Sequence, residues 1–264
     1  MTRYAAMLGR CRARGEGALG AFVMLGDPGL DASAAYLDAL VAGGADMLEL
    51  GIPFSDPVAD GPVIQAAAGR ALAAGVRNAD CLRLLADLRS RHRNIPVGVL
   101  TYANIVAARG RERFCAELAE VGADSLLVAD VPSFEARPWT GAAVAAGIDP
   151  VLIAAPTTPQ PALETIARLG RGYTYCVARL GVTGSGSAPA MGHRQLFDDL
   201  AGLSAPPPVL GFGISSPVHV AEAVASGAAG VISGSALVER AILPDGVDQV
   251  RAFCAAMKAA THKI

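Results

Sequence analysis

The chain has 264 residues and a formal net charge of -2, a length that α/β barrels reach as a single domain. It is 52% hydrophobic but only 5% aromatic, so its apolar content is mainly Ala, Val and Leu, as buried parallel strands and close helix packing require. No apolar run reaches the roughly 18 residues of a membrane span, and no Lys/Arg cluster is interleaved with aromatics as in nucleic-acid binders, so neither a membrane nor a nucleic acid is an expected partner.

Apolar strand-like runs alternate with amphipathic stretches along the whole chain, the pattern of an α/β protein with a parallel sheet. A basic amphipathic helix near Thr2 to Arg14 has no signal-peptide core, and a cytoplasmic protein is expected. The first strand is Leu19 to Leu25, and Gly26-Asp27-Pro28-Gly29 turns into a helix over Ala32 to Ala42 with Asp31 as N-cap. Strand two, Asp46 to Leu50, opens into a long loop and two helices, Pro62 to Ala74 and Asp80 to Ser90. Strand three is Pro96 to Thr101, followed by a helix over Arg111 to Val121. Strand four (Ser125 to Ala129), a helix (Ser133 to Ala146) and strand five (Asp149 to Ile153) come next, then a helix ending at Gly170.

Strand six is Tyr173 to Ala178, and the loop after it, Gly181 to Gly192, is rich in Gly and Ser. Strand seven is Val209 to Phe212, a helix covers Pro217 to Ser226, and strand eight is Gly230 to Ser233. One helix begins near Ser235 and a last one covers Val247 to Ala260. Gly43-Gly44-Ala45-Asp46, Val121-Gly122-Ala123-Asp124 and Ser226-Gly227-Ala228-Ala229 form a weak repeat in which a helix ends on Gly and a strand follows. Eight strands with eight helices, plus extra helices at the N-terminus and after strands two and eight, read as one (β/α)8 TIM barrel over 1-264. A doubly wound open sheet is the competing topology.

Several chemistries lack residues. Five scattered cysteines without a Cys-x-x-Cys pair suggest no disulfide framework or zinc site. The two lysines are Lys258 and Lys263, so no strand end carries a Schiff-base candidate, and the four histidines lack metal-ligand spacing. Metal-assisted chemistry is disfavoured.

Residues 48 to 65 carry the chemistry. Glu49 lies near the end of an apolar strand, where a carboxylate loses hydration unless it is paired, hydrogen-bonded or protonated. Asp60 follows in the loop, and together they make an acid/base pair whose protonation can be split by environment. The competing roles are a backbone-bonded structural carboxylate for Glu49 and a helix N-cap for Asp60. Asp130, at the end of strand four, has the same formal standing as Glu49.

In a barrel of this kind the loops after strands seven and eight commonly hold phosphate. Here they read Gly211-Phe212-Gly213-Ile214-Ser215 and Ser233-Gly234-Ser235, which with Gly184 form a backbone cradle without Lys or Arg. Phe22, Leu100, Leu127, Ala129, Ile153, Tyr175, Phe212 and Ile232 fall at or near strand ends and, with Thr183, could wall an apolar pocket beside it. Barrel filling is the bland role for each taken singly. An apolar pocket next to a phosphate cradle suggests an aromatic phosphate ester.

The stretch Leu48 to Gln65, Leu25-Gly26-Asp27-Pro28-Gly29, Gly181-Val182-Thr183-Gly184, Gly211 to Ser215 and Ile232-Ser233-Gly234-Ser235 together resemble the tryptophan synthase alpha chain family over nearly the whole sequence. The resemblance implies reverse-aldol cleavage of indole-3-glycerol phosphate to indole and glyceraldehyde 3-phosphate, with no cofactor. By the same resemblance Glu49 protonates indole C3 and takes the C3′ hydroxyl proton, Asp60 handles the indole N-H, and Tyr175 assists near the ring. Thr183 orders its loop against Asp60, and Gly184, Gly213, Gly234 and Ser235 hold the phosphate. A pyridoxal-phosphate beta subunit is the implied partner, contacting Pro53, Asp56, Pro57 and Asn104. Two other roles share these motifs: a stand-alone indole-releasing lyase, and a mainly non-catalytic allosteric partner of a beta subunit.

Overall fold

The computed structural model describes residues 1-177 and 192-262. Among them nine parallel strands run in the order β5-β4-β3-β2-β1-β9-β8-β7-β6: β1 Ala18–Met24, β2 Met47–Gly51, β3 Val97–Thr101, β4 Ser125–Val128, β5 Asp149–Pro150, β6 Leu152–Ala154, β7 Thr174–Val177, β8 Pro208–Gly211 and β9 Gly230–Ser233. β5 and β6 are two halves of the expected fifth strand, and they close the ring. Val151 N-H donates to Leu126 O on one side, while Arg171 N-H reaches Pro150 O on the other. Pro150 has no N-H to offer toward β7, so that ladder starts only at Leu152. The result is the expected eight-stranded barrel with one interrupted strand.

The helices are α1 Arg3–Ala13, α2 Leu30–Ala42, α3 Pro62–Ala73, α4 Asn78–Arg91, α5 Ala103–Arg109, α6 Arg111–Glu120, α7 Arg137–Ala145, α8 Gln160–Leu169, α9 Gly192–Gly202, α10 Pro217–Ala225, α11 Ser235–Ala241 and α12 Gly246–Ala259. Three expectations are corrected. Asp31 does not cap α2: the first turn closes on Gly29, whose carbonyl accepts Ser33 N-H, leaving Asp31 inside that turn. The helix expected over Ser133 to Ala146 is a 3-10 turn, Ser133–Glu135, followed by α7, because Pro138 cannot donate back across the junction. The sequence reading also passed over α5, a seven-residue helix whose first N-H, on Ala103, is taken by Asp130 Oδ1 at 2.7 Å. A capping partner 27 residues away leaves no local signature.

Strand alternation divides the core in two. Leu19, Val23, Leu48, Leu50, Val97 and Val99 face the helical shell, whereas Phe22, Met47, Leu127, Tyr173, Tyr175, Val209 and Ile232 fill the barrel. α1 closes its base with buried Tyr4, Met7 and Cys11. The aspartates of the sequence repeat join neighbouring strands there: Asp46 Oδ2 accepts Leu19 N-H and Asp124 Oδ2 accepts Val97 N-H, each at 2.8 Å. Cations hold both carboxylates, Lys258 on Asp46 and Arg3 with Arg89 on Asp124.

Candidate active site

Glu49 and Gly51 point inward on β2, since their neighbours Leu48 and Leu50 face the shell. Glu49 is 2% exposed. Its Oε1 accepts the Tyr173 hydroxyl at 2.8 Å, and its Oε2 is buried with no hydrogen-bond partner among the described residues. Burial pushes its carboxyl up to about 8; the Tyr173 bond works against that shift and the nearby Asp60 charge adds to it. Glu49 is therefore no backbone-bonded structural carboxylate. At neutral pH it holds a proton.

Asp60 does not cap α3 either, because that role falls to Gly61 with Pro62 opening the helix. Its Oδ2 accepts the Tyr102 hydroxyl at 2.9 Å, and Gln65 Nε2 donates to its backbone carbonyl at 2.8 Å. Burial raises the Asp60 carboxyl to about 6, with the Tyr102 bond in opposition, so Asp60 is mainly ionised at neutral pH. The two carboxyls thus differ in protonation, as a general acid and a general base must. Asp130, which sequence pattern could not separate from Glu49, is exposed and committed to Ala103 N-H.

Asp60 opens onto a cavity of about 150 Å³. Of the proposed substrate-binding residues, Phe22, Leu100, Tyr175, Phe212, Gly213, Ile232, Gly234 and Ser235 line it. Leu127, Ala129 and Ile153 belong to the inner barrel cluster and do not reach this cavity. Thr183 and Gly184 lie outside the described residues. Ser215, in the expected cradle loop, is on the lining too, while the sequence reading did not single out Val63, Ala236 and Glu239 on that lining or the two tyrosines that hold the carboxylates. Tyr173 was within reach, because it precedes Tyr175 by two and strand alternation places both inside the barrel. Tyr102 carried no signal, since its hydroxyl crosses 42 residues to Asp60.

The cradle is built from two loops joined by one bond, Ser233 Oγ to Ile214 O at 2.7 Å. Phe212 and Gly213 are consecutive left-handed residues, φ 65° and 76°, so the backbone turns sharply at the cavity edge, where Gly213 adopts that conformation without a Cβ penalty. The Phe212 ring lies edge-on to Tyr175, centroids 6.0 Å apart. Gly211 is required by space: a Cβ there would fall 2.3 Å from the Tyr175 ring and hydroxyl. No group of His, Cys, Asp and Glu suited to a metal ion occurs among the described residues.

A parallel (β/α)8 barrel with two buried carboxyls, Asp60 on the lining of a mainly apolar cavity and Glu49 inside the barrel but not on that lining, is the frame of an enzyme of the acid-base class. The family model described as "Tryptophan synthase alpha chain" matches residues 8–262. Among curated proteins, the tryptophan synthase alpha chain of Shewanella amazonensis is 48% identical over 99% of this chain and 100% of its own length. That of Klebsiella pneumoniae is 49% identical over 99% of both. Among solved structures, a Mycobacterium tuberculosis tryptophan synthase superposes with a TM-score of 0.90 at 32% identity, covering 99% of this chain and 98% of the other. The alpha subunit from Legionella pneumophila gives 0.89 at 30% identity, with 99% and 98% covered. The chain belongs to the tryptophan synthase alpha chain family.

Proposed function

We propose a division of labour for the reaction of this family, the cleavage of indole-3-glycerol phosphate to indole and glyceraldehyde 3-phosphate. Protonated Glu49 gives its proton to indole C3 while ionised Asp60 takes the indole N-H proton. Glu49, now a carboxylate, removes the proton of the hydroxyl on the side-chain carbon bonded to C3. That bond then breaks, the aldehyde forms, and the electron pair returns through the ring to nitrogen, which recovers its proton from Asp60. Both carboxyls end as they began. The observation that carries this reading is the pair of buried carboxyls, each held by a tyrosine hydroxyl, with Glu49 Oε2 left without a partner among the described residues; burial raises both, Glu49 the further.

Phe22, Leu100, Tyr175, Phe212 and Ile232 supply apolar surface for the indole, with Leu127, Ala129 and Ile153 deeper in the barrel. Gly213, Gly234 and Ser235 offer N-H groups to the phosphate, and the family resemblance assigns Gly184 to the phosphate as well and Thr183 to ordering its loop against Asp60. Tyr175 assists at the ring as part of the wall. The whole chain acts as one barrel unit, in the cytoplasm; no described helix is long and apolar enough to cross a membrane.

A beta subunit is the partner the family implies. We place its docking surface on the barrel rim that carries Asp56, Pro57 and Asn104. Asp56 and Asn104 are exposed, as are the apolar Val58 and Phe134 in the loops after β2 and β4. Pro53 is buried and acts there by shaping the loop.

The test is indole release from indole-3-glycerol phosphate by the purified chain, alone and with a tryptophan synthase beta subunit in excess. Slow release that rises strongly with the partner supports the reading. Fast release indifferent to the partner favours a stand-alone lyase, and no release in either case overturns the assigned reaction.

A further inference from the structure

Tyr102 makes more of its side chain than a wall residue needs. It is 2% exposed, and its hydroxyl engages two consecutive residues at the end of one loop, donating to Asp60 Oδ2 at 2.9 Å and accepting Ala59 N-H at 3.2 Å. Its ring stacks on Phe54, earlier in that loop, with centroids 5.2 Å apart and planes 29° from parallel. The backbone is equally constrained: Tyr102 O accepts Ile105 N-H at 3.1 Å in the first turn of α5, and the next N-H, on Ala103, is bound by Asp130. A rigid strand end therefore grips an otherwise irregular loop at its two ends.

We propose that Tyr102 is a positioning residue that fixes the Asp60 carboxylate, holding Oδ2 so that Oδ1 is presented to the cavity. Among the described residues, Tyr102 is the single hydrogen-bond donor to that carboxylate. Without that hydroxyl the Asp60 side chain has no hydrogen bond from the described residues to fix its χ1 and χ2, and Ala59 N-H loses its acceptor, while the ring contact with Phe54 remains. The inference rests on the role given to Asp60 above and deepens it. A proton acceptor held at one angle in a largely buried position contributes through pre-organisation.

The groups facing Asp60 are few. Among the described residues Glu49 approaches from β2 and Tyr175 from β7, and neither carries positive charge; Asp130 acts on Tyr102 by its charge. Since the Tyr102 bond opposes the upward push of burial on Asp60, removing it shifts the Asp60 titration upward. A purely structural tyrosine would leave that titration where it is.

The experiment is Tyr102→Phe, which keeps the ring on Phe54 and deletes the hydroxyl. Losing one hydrogen bond to a charged group predicts kcat/KM for indole-3-glycerol phosphate down by about tenfold or more. The loss falls on kcat with KM little changed, and the acidic limb of the pH profile moves upward. In an Asp60→Asn background the same substitution has little further effect. An equal loss in both backgrounds, or an unmoved acidic limb, overturns the proposal. Carbon-13 NMR of the Asp60 carboxyl, with and without the Tyr102 hydroxyl, needs no turnover. If the wild-type chain releases no indole, the assigned reaction fails on its own; an unshifted Asp60 titration then overturns the positioning role separately.

Discussion

The Tyr173 hydroxyl donates to Glu49 Oε1 at 2.8 Å, and the Tyr4 ring of α1 supports it from below, centroids 5.3 Å apart. Tyr4 is in turn tied to Ser125 at 2.8 Å. Glu49, the proton donor proposed above, therefore rests through Tyr173 on the plug at the base of the barrel. Tyr173→Phe should keep the ring packing and free Glu49 to rotate. We expect kcat to fall about tenfold and the alkaline limb of the pH profile to move up, because the Tyr173 bond holds the Glu49 carboxyl lower than burial alone would. Steady-state kinetics between pH 6 and 10 would expose a merely packing role as an unmoved limb.

The pH dependence follows from the two carboxyls with opposite signs. Asp60, raised to about 6, must be ionised to accept the N-H proton, so activity falls as pH drops through that value. Glu49, raised to about 8, must be protonated, so activity falls again as pH climbs through that value. A bell in kcat/KM with its plateau between these limbs is expected. Activity that instead rises through pH 8 would mean that Glu49 starts the cycle as a base.

Glu49 should also cost stability. A carboxyl whose folded value is raised favours the native state below its unfolded value, and that advantage is lost as pH rises through the folded value. Glu49→Gln should therefore abolish indole formation yet become more stable than the parent as pH goes from about 5 to about 8, with the difference level beyond. Urea unfolding of both proteins at several pH values would measure this, and a constant difference would argue against a protonated native Glu49.

Charge at the cradle offers an independent handle. The charged side chains lining the cavity are Asp60 and Glu239, both acidic, and Glu239 sits on α11 one turn past Ser235. A dianionic phosphate is repelled there, though water screens an exposed group. Glu239→Gln should lower KM for the phosphorylated substrate about two- to threefold, as expected for roughly 0.5 kcal/mol. Gly234→Asp should raise it by more, since a Cβ there meets only ordinary contact at 3.4 Å from Phe22 and the new charge lies inside the cradle. Binding of inorganic phosphate should follow the same order, and equal affinities would remove the cradle from this position.

How far the sequence carries depends on the range of the interaction. Glu49, the strand-end apolar residues and the glycine loops were legible because strand alternation and barrel topology fix where they point. Asp130 against Glu49 was not, since both end an apolar strand; the choice is made by Ala103, whose N-H claims Asp130. Tyr102 and Asp60 illustrate the same limit. Their bond joins two loops through three-dimensional closure, and no spacing announces it. Pro150 went the other way: its missing donor was visible, but its effect on the fifth strand required knowing which neighbour that donor would have faced.

Lys258 clamps the last helix to the barrel base. Its Nζ lies 2.7 Å from Asp46 Oδ2 and 2.8 Å from Glu16 Oε2, and Asp46 also accepts Leu19 N-H. Lys258→Met would leave two poorly solvated carboxylates without that cation, at a cost of about 2-4 kcal/mol. Thermal melts should show a drop of several degrees with kcat unchanged, the clamp being at the end of the barrel opposite the site. Lys258 holds Glu16 below the ordinary carboxylate range, so this stabilisation is present above that range and is lost as pH falls through the lowered value. The difference between variant and parent should narrow in acid.

Gly211 tests whether the site needs Tyr175 where it stands. The Cβ of Gly211→Ala would overlap the Tyr175 ring carbons and hydroxyl, at 2.3 to 2.7 Å, so the tyrosine must turn away or β8 must shift. Either response displaces the edge-on contact with Phe212 and narrows the cavity that both residues line. Overpacking of this kind costs about 1-3 kcal/mol, which a 264-residue barrel should survive folded, while kcat/KM falls by about a hundredfold from misplacement of the ring against the carboxyls. Tyr175→Phe in the same chain keeps the clashing ring carbons and should not restore stability. Tyr175→Leu relieves the overlap and should recover the melting temperature without recovering kcat. Recovery of both by leucine would assign Tyr175 to filling space alone and leave the chemistry to Glu49 and Asp60.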